Sequence, residues 1–285
     1  AMAGAGVVVM TPEIEDLANY RVTPECIDVI ADSAALLSSR MGHAPVGVVG
    51  LSFAGGLALM AASRPGSEKE IGYVLAVGAH DDMARVSRFF ATSVIEKPGG
   101  DSAPLQPHEY GALLLAYAHL EDFFTPKDLP VAHEALRQWL WEQRDDAMKT
   151  SATLSPQGQA RFDAILHHRD QLQGILLREI LKHQDELDAV SPHDKLKDLH
   201  IPVYLLHGAG DNIIPASETL WLARDVPQPE LKAVLVSTAL THVDMRKSVP
   251  WSEQWALINF MAQVLRATDH LADLGQTAGP SSGSN

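Results

Sequence analysis

Residues 46–56 read VGVVGLSFAGG, a β-branched run that meets Ser52 between small residues, with an Ala/Leu helix pattern following at once. A serine hydroxyl is inert at its own pKa and attacks a carbonyl only when a base takes its proton. Histidine, with an unperturbed pKa of ~6.5, can accept that proton near neutrality and return it to a leaving group. His242 stands just beyond the run LKAVLVS, and Asp211 just beyond VYLLHGAG. Small residues suit the corner around Ser52, because Gly50 and the residues after Phe53 lie where a strand and a helix approach closely and Cβ atoms would crowd the turn.

The elements that must hold these groups read as strands alternating with helices. Strand-like runs occur at Val7–Met10, Val46–Val49, Tyr73–Val77, Val203–Leu206 and Leu231–Val236, mostly continuous, as in strands covered on both faces. Thr23-Pro24-Glu25, Pro215-Ala-Ser-Glu and Pro250-Trp-Ser-Glu read as helix starts. The pattern predicts an α/β fold with a doubly wound, mostly parallel sheet of about five strands, whose ligands sit beyond the carboxyl ends of the strands. Between Asp82 and Leu199 no strand pattern is visible. Leucines and isoleucines there fall at helical spacing, and Ser155-Pro156 and Ser191-Pro192 read as further helix starts. The expected organisation is a core over 1–81 and 199–270, a helical cap insertion over 82–198 and a flexible tail over 271–285.

Gly50-Leu51-Ser52-Phe53-Ala54-Gly55-Gly56 resembles the nucleophile elbow of the α/β-hydrolase family, with Ala54 where the family pattern has glycine. The resemblance implies that Ser52 is the nucleophile, that Asp211, in a glycine turn after a late strand, orients the catalytic histidine, and that His242 is the base. The order Ser, Asp, His is the family's order. It also implies that the Phe53 backbone N–H donates to the oxyanion. His80-Asp81-Asp82 follows the Tyr73 run, and Asp81 is held in reserve as the acid because some members carry it there. The implied activity is hydrolysis of an ester or thioester of an apolar or mid-sized acyl substrate through an acyl-serine intermediate. An acyltransferase on the same triad and a non-catalytic binding protein that keeps the fold stay open. Tyr110, Tyr117, Phe123, Phe124, Trp139 and Trp141 could line a pocket under the cap, and core filling is the favoured reading for each.

Composition narrows the partners. With 22 basic and 36 acidic residues the net charge is −14, which disfavours nucleic acid and anionic membrane. Cys26 is the single cysteine and reads as a small core residue. Thirteen histidines carry no metal-motif spacing, so neither a metal nor another cofactor is expected. The expected partner is a small acyl substrate; there is no membrane-span pattern, and a homo-oligomer is left open. AMAGAG at residues 1–6 has no signal-peptide character, which favours the cytoplasm, and it reads as the last turn of a helix whose start is absent. In the family, the strand that would stand beside the Val46 run gives the second oxyanion N–H, so a gap or an altered closure is expected there.

Overall fold

A computed structural model describes residues 7–240 and 250–277. The first elements are α1 (Glu15–Ala18), α2 (Pro24–Arg40), β1 (Val46–Leu51), α3 (Phe53–Ala62) and β2 (Ile71–Val77). Then come α4 (Met83–Thr92), β3 (Val94–Glu96), β4 (Ser102–Pro104), α5 (Tyr110–Ala118), α6 (Leu129–Leu140), α7 (Arg144–Ser151), α8 (Pro156–His167), α9 (Arg169–Lys182) and α10 (Gln184–Ala189). The chain closes with β5 (Val203–Gly208), α11 (Ser217–Asp225), β6 (Leu231–Ser237) and α12 (Trp251–Thr277).

Two compact units divide the chain. One comprises Ala1–Asp82 with Ala189–Asn285, the other Met83–Asp188. The segment from Ala189 onward, expected with the insertion, therefore groups with the sheet.

In the first unit the sheet order is β1-β2-β5-β6, and every pair is parallel. Leu51, Val77, Leu206 and Leu235 form one row across it. All four strands thus end on the same edge. The two central strands are apolar almost throughout and buried on both faces. Tyr73, Leu75 and Val77 pack with Tyr204, Leu206, Phe260 and Val264 on the side of α12. Alternate residues of β2 face α3, where a Cβ on Gly55 would lie 3.4 Å from that of Ala76. β1 is an edge strand with Val49 and Leu51 exposed, and a groove of about 310 Å³ runs along it, lined by Met10, Pro12, Ile14, Ile30 and Leu37.

Several expectations need correction. Among the described residues the main sheet has four strands where about five were expected, because Val7–Met10 joins no ladder and Val8 and Val9 are exposed. A β-branched run makes a strand only where a partner receives it. The insertion contains a short antiparallel ribbon, β3 with β4, closed through Gly99 (φ +106°) and Gly100 (φ +94°). Strands of three residues are too short to show a period. Ser191-Pro192 opens no helix; the His193 amide donates to the Asp81 carbonyl and Asp194 takes φ 60°, which ties this stretch to the end of β2 instead. Residues 271–277, assigned to the tail, continue α12.

The helical unit is built on α4 and α9, whose Val86, Phe89, Phe90, Leu172, Leu176 and Ile180 are buried. Tyr117, Phe123 and Phe124 are buried in it as well. Trp139 stands edge-on to Phe162 under the Arg144 guanidinium, and Trp141 is exposed with Arg137 over its ring. Tyr110 donates its hydroxyl hydrogen to Glu142. Among the described residues no helix is long and apolar enough to cross a membrane.

Candidate functional site

Ser52 is the only residue between β1 and α3, and its backbone has φ 56° and ψ −134°. A side chain rarely adopts this region, which costs about 1–3 kcal/mol and persists only where the surroundings over-determine it. The surroundings do so here. The Ser52 amide donates to the Val77 carbonyl at 2.7 Å, continuing the ladder one residue past β1, and the Ser52 carbonyl accepts from the Gly55 amide at 2.9 Å. A Cβ on Gly50 would come within 2.5 Å of the Ala54 carbonyl oxygen, and one on Gly56 within 2.5 Å of the His80 ring. A Cβ on Gly55 would meet that of Ala79 at 2.7 Å. The crowded positions are therefore 50, 55 and 56, and position 54 tolerates its methyl group. Phe53 opens α3, so its amide is one of the N–H groups that a helix start leaves without an intrahelical acceptor. Its ring lies 5.5 Å from that of His80, which is fully buried and bonded through Nε2 to the Val190 carbonyl at 2.9 Å.

Asp211 lies in the turn between β5 and α11, its side chain fully buried. Oδ1 accepts from the amides of Ile213 (2.9 Å) and Ile214 (3.0 Å), and Oδ2 lies 3.3 Å from His207 Nε2. It does not cap α11, which begins at Ser217 after Ala216. The carboxylate shapes its own turn. His207, also fully buried, holds that turn through the Ile214 carbonyl (2.9 Å) and Thr219 (2.6 Å).

Asp81, past the end of β2, is equally buried, and its carboxylate faces His193 at 3.3 Å. Asp225 meets the same imidazole nitrogen at 2.8 Å. Burial works against the charged ring, but Asp81 and then Asp225 outweigh it and hold the His193 pKa above its ordinary value. His242 lies outside the described residues. The parallel register brings the stretches carrying Ser52, Asp81 and Asp211 to one edge of the sheet.

Two residues read from the sequence only as parts of helix starts anchor this edge. Glu218, buried in the first turn of α11, accepts from the amides of Asp81 (2.9 Å) and Asp82 (3.0 Å). Glu253, in the first turn of α12, accepts from the Ser237 hydroxyl (2.6 Å) and the Thr238 amide (3.2 Å). Both are the glutamates of the two Pro-x-Ser-Glu helix starts. The repeated motif was the available signal, because a first-turn carboxylate suits the helix dipole and can also reach a neighbouring strand end.

No family model matches the chain, and no curated protein matches it. Its fold is similar to that of α/β-hydrolases among the solved structures. A meta-cleavage product hydrolase from Pseudomonas fluorescens is 17% identical, over 92% of this chain and 76% of that one, with a TM-score of 0.38. A putative non-heme bromoperoxidase from Mycobacterium tuberculosis is 16% identical, over 85% and 75%, with a TM-score of 0.41. An α/β-hydrolase enzyme from a deep-sea metagenome library is 12% identical, over 82% and 71%, with a TM-score of 0.38. Identity this low says nothing of substrate.

Proposed function

We propose that the chain is a serine hydrolase acting on an ester or thioester of an apolar or mid-sized acyl group. The single observation that supports this most is the strained backbone of Ser52 at the strand-to-helix corner, held by the Val77 carbonyl and by glycines whose added Cβ would meet neighbouring atoms at 2.5–2.7 Å. In this reading Ser52 Oγ attacks the carbonyl carbon while its proton passes to His242. The carbonyl oxygen gains the negative charge and takes a hydrogen bond from the Phe53 amide. Collapse of the tetrahedral species breaks the bond to the alcohol or thiol, which leaves with the proton from the histidine. Water then repeats the sequence on the acyl-serine and releases the acid.

Asp211 orients the histidine and stabilises its transient charge. Its buried carboxylate, held by two amides, suits that task because its position is fixed. Asp81 faces His193 and serves the fold of its own turn.

A fluorophosphonate probe tests the reading directly, followed by an ester panel of graded acyl length. Labelling at Ser52, with turnover that changes gradually along the series, is the expected result. One methylene should alter discrimination by about 1–3 kcal/mol at most. An unlabelled, folded protein would assign the fold to binding rather than catalysis.

A further inference from the structure

Apart from the sheet edge, the helical unit brings together a cluster of groups that the proposed hydrolysis does not use. Glu179 and His183 are four residues apart at the end of α9, so they share one face. Asp122 comes from the short 3-10 turn Leu120–Asp122 that follows α5. His183 Nε2 lies 3.2 Å from Asp122 Oδ2 and 3.7 Å from Glu179 Oε2, and one ligand atom from each of the three residues can be chosen with all of them within 4.8 Å. The edge of a tetrahedron with bonds of 2.0–2.1 Å is about 3.4 Å. The two separations from His183 Nε2 are therefore close to the spacing of ligands on one small cation.

The other imidazole nitrogen is also held. His183 Nδ1 lies 2.9 Å from Glu186 Oε1, the carboxylate-histidine arrangement that fixes a ring with its second nitrogen toward a metal. We propose that Asp122, Glu179 and His183 Nε2 bind a zinc-class divalent cation, with Glu186 orienting the imidazole from behind. One nitrogen and two carboxylate oxygens are the donor set of that class, and the nitrogen argues against calcium or magnesium.

An ordinary ion-pair network leaves part of this cluster unexplained. Lys182 donates to both oxygens of Asp122, which accounts for that carboxylate. Glu179 Oε2 is buried with no hydrogen-bond donor, and the Lys182 ammonium is 3.8 Å away. A dication touching both carboxylates would give the buried Oε2 a partner. Lys182 is half exposed and free to swing aside.

The opposite side of His183 is the weaker alternative. His119 stacks on it with centroids 3.4 Å apart and planes at 11°, so the in-plane lone pairs of the two rings run side by side rather than converging. Glu186, the carboxylate there, is largely exposed. Sequence spacing hid the site, since Asp122 and His183 stand 61 positions apart.

The experiment is calorimetric titration of the full chain with Zn²⁺, with Co²⁺ as a spectroscopic substitute and circular dichroism confirming the fold of each variant. One equivalent should bind, Co²⁺ should give the strong visible absorption of a four-coordinate site, and the thermal midpoint should rise with Zn²⁺. Glu179→Gln and His183→Gln should abolish binding. Glu186→Ala should weaken it about 10- to 100-fold. Lys182→Met should tighten it about two- to fivefold by removing the competing ammonium. This gain cannot come from misfolding. Absence of stoichiometric binding overturns the proposal. So does binding that survives in folded Glu179→Gln but is lost in His119→Ala or in His193→Gln, since each of these places the cation elsewhere.

Discussion

The Ser52 amide donates to the Val77 carbonyl at 2.7 Å, so the ladder between β1 and β2 runs on into a residue with φ 56°. One bond thus holds the serine at the edge of the sheet and fixes its strained turn. Ser52→Ala should abolish probe labelling and turnover with little change in stability, because alanine bears the same backbone strain. Ser52→Gly should be equally inactive but more stable by about 1 kcal/mol, since glycine adopts this conformation freely. Urea unfolding of the two variants beside the parent checks both statements, and labelling of another residue in Ser52→Ala would remove Ser52 from the mechanism.

The glycines around the corner differ in kind. Gly50→Ala would drive a methyl against backbone atoms of α3, which cannot move without lifting the helix from the strand. The expected cost is about 1–3 kcal/mol or more. Ala54→Gly removes a methyl where no glycine is required and should cost about 1 kcal/mol, the helical preference for alanine. Thermal midpoints of the two variants should fall in that order.

The corner was readable in the sequence because strand, turn and helix are contiguous and Gly50 is crowded by Ala54 and Gly55 a few positions away, whereas the Ala79 and His80 contacts of Gly55 and Gly56 come from the end of β2. The central strands were readable for a related reason, since burial on both faces leaves Val203–Leu206 and Tyr73–Val77 no polar positions. Val7–Met10 carries the same local signal and yet joins no ladder, because pairing depends on what lies beside a strand. Ser191-Pro192 likewise has the residues of a helix start, but the Asp81 carbonyl and Asp225 carboxylate claim the amides of His193 and Asp194. Glu218 and Glu253 were visible as helix-start residues and not as anchors, because their partners come from other strands.

Asp211 and Asp81 separate by substitution to asparagine. Asp211→Asn keeps an oxygen for the Ile213 and Ile214 amides, so the turn should persist while the charge is lost. Turnover should fall on the order of 10⁴-fold. Asp81→Asn should be milder, its effect falling on His193 and on stability. The two kinetic losses in reverse order would move the acid to the end of β2.

His193 gives a pH dependence of defined sign. Its pKa is raised in the folded chain, so its contribution is fully present below the unfolded value of ~6.5 and is lost as pH rises through the higher folded value. His193→Gln should therefore destabilise the protein most near pH 5.5 and progressively less toward pH 9. Denaturant midpoints of parent and variant across this range measure it, and a constant difference would exclude the charged ring as the source.

Glu253 tests whether the stretch leading toward His242 is held from outside. Its carboxylate receives the Ser237 hydroxyl and the Thr238 amide, and Ser237 Oγ in turn accepts from the Ala239 amide at 3.1 Å. The start of the loop after β6 is therefore fixed to the first turn of α12. Glu253→Ala removes that tie and leaves a buried serine without its acceptor, so the rate of probe labelling at Ser52 should drop while the sheet stays folded. Glu253→Gln retains an oxygen at the same reach and should recover most of the labelling rate. A role confined to packing would move the thermal midpoints and leave labelling by folded protein unchanged. Rescue by glutamine, with the pH profile of labelling restored alongside its rate, would show that Glu253 acts by positioning the residues directly after β6.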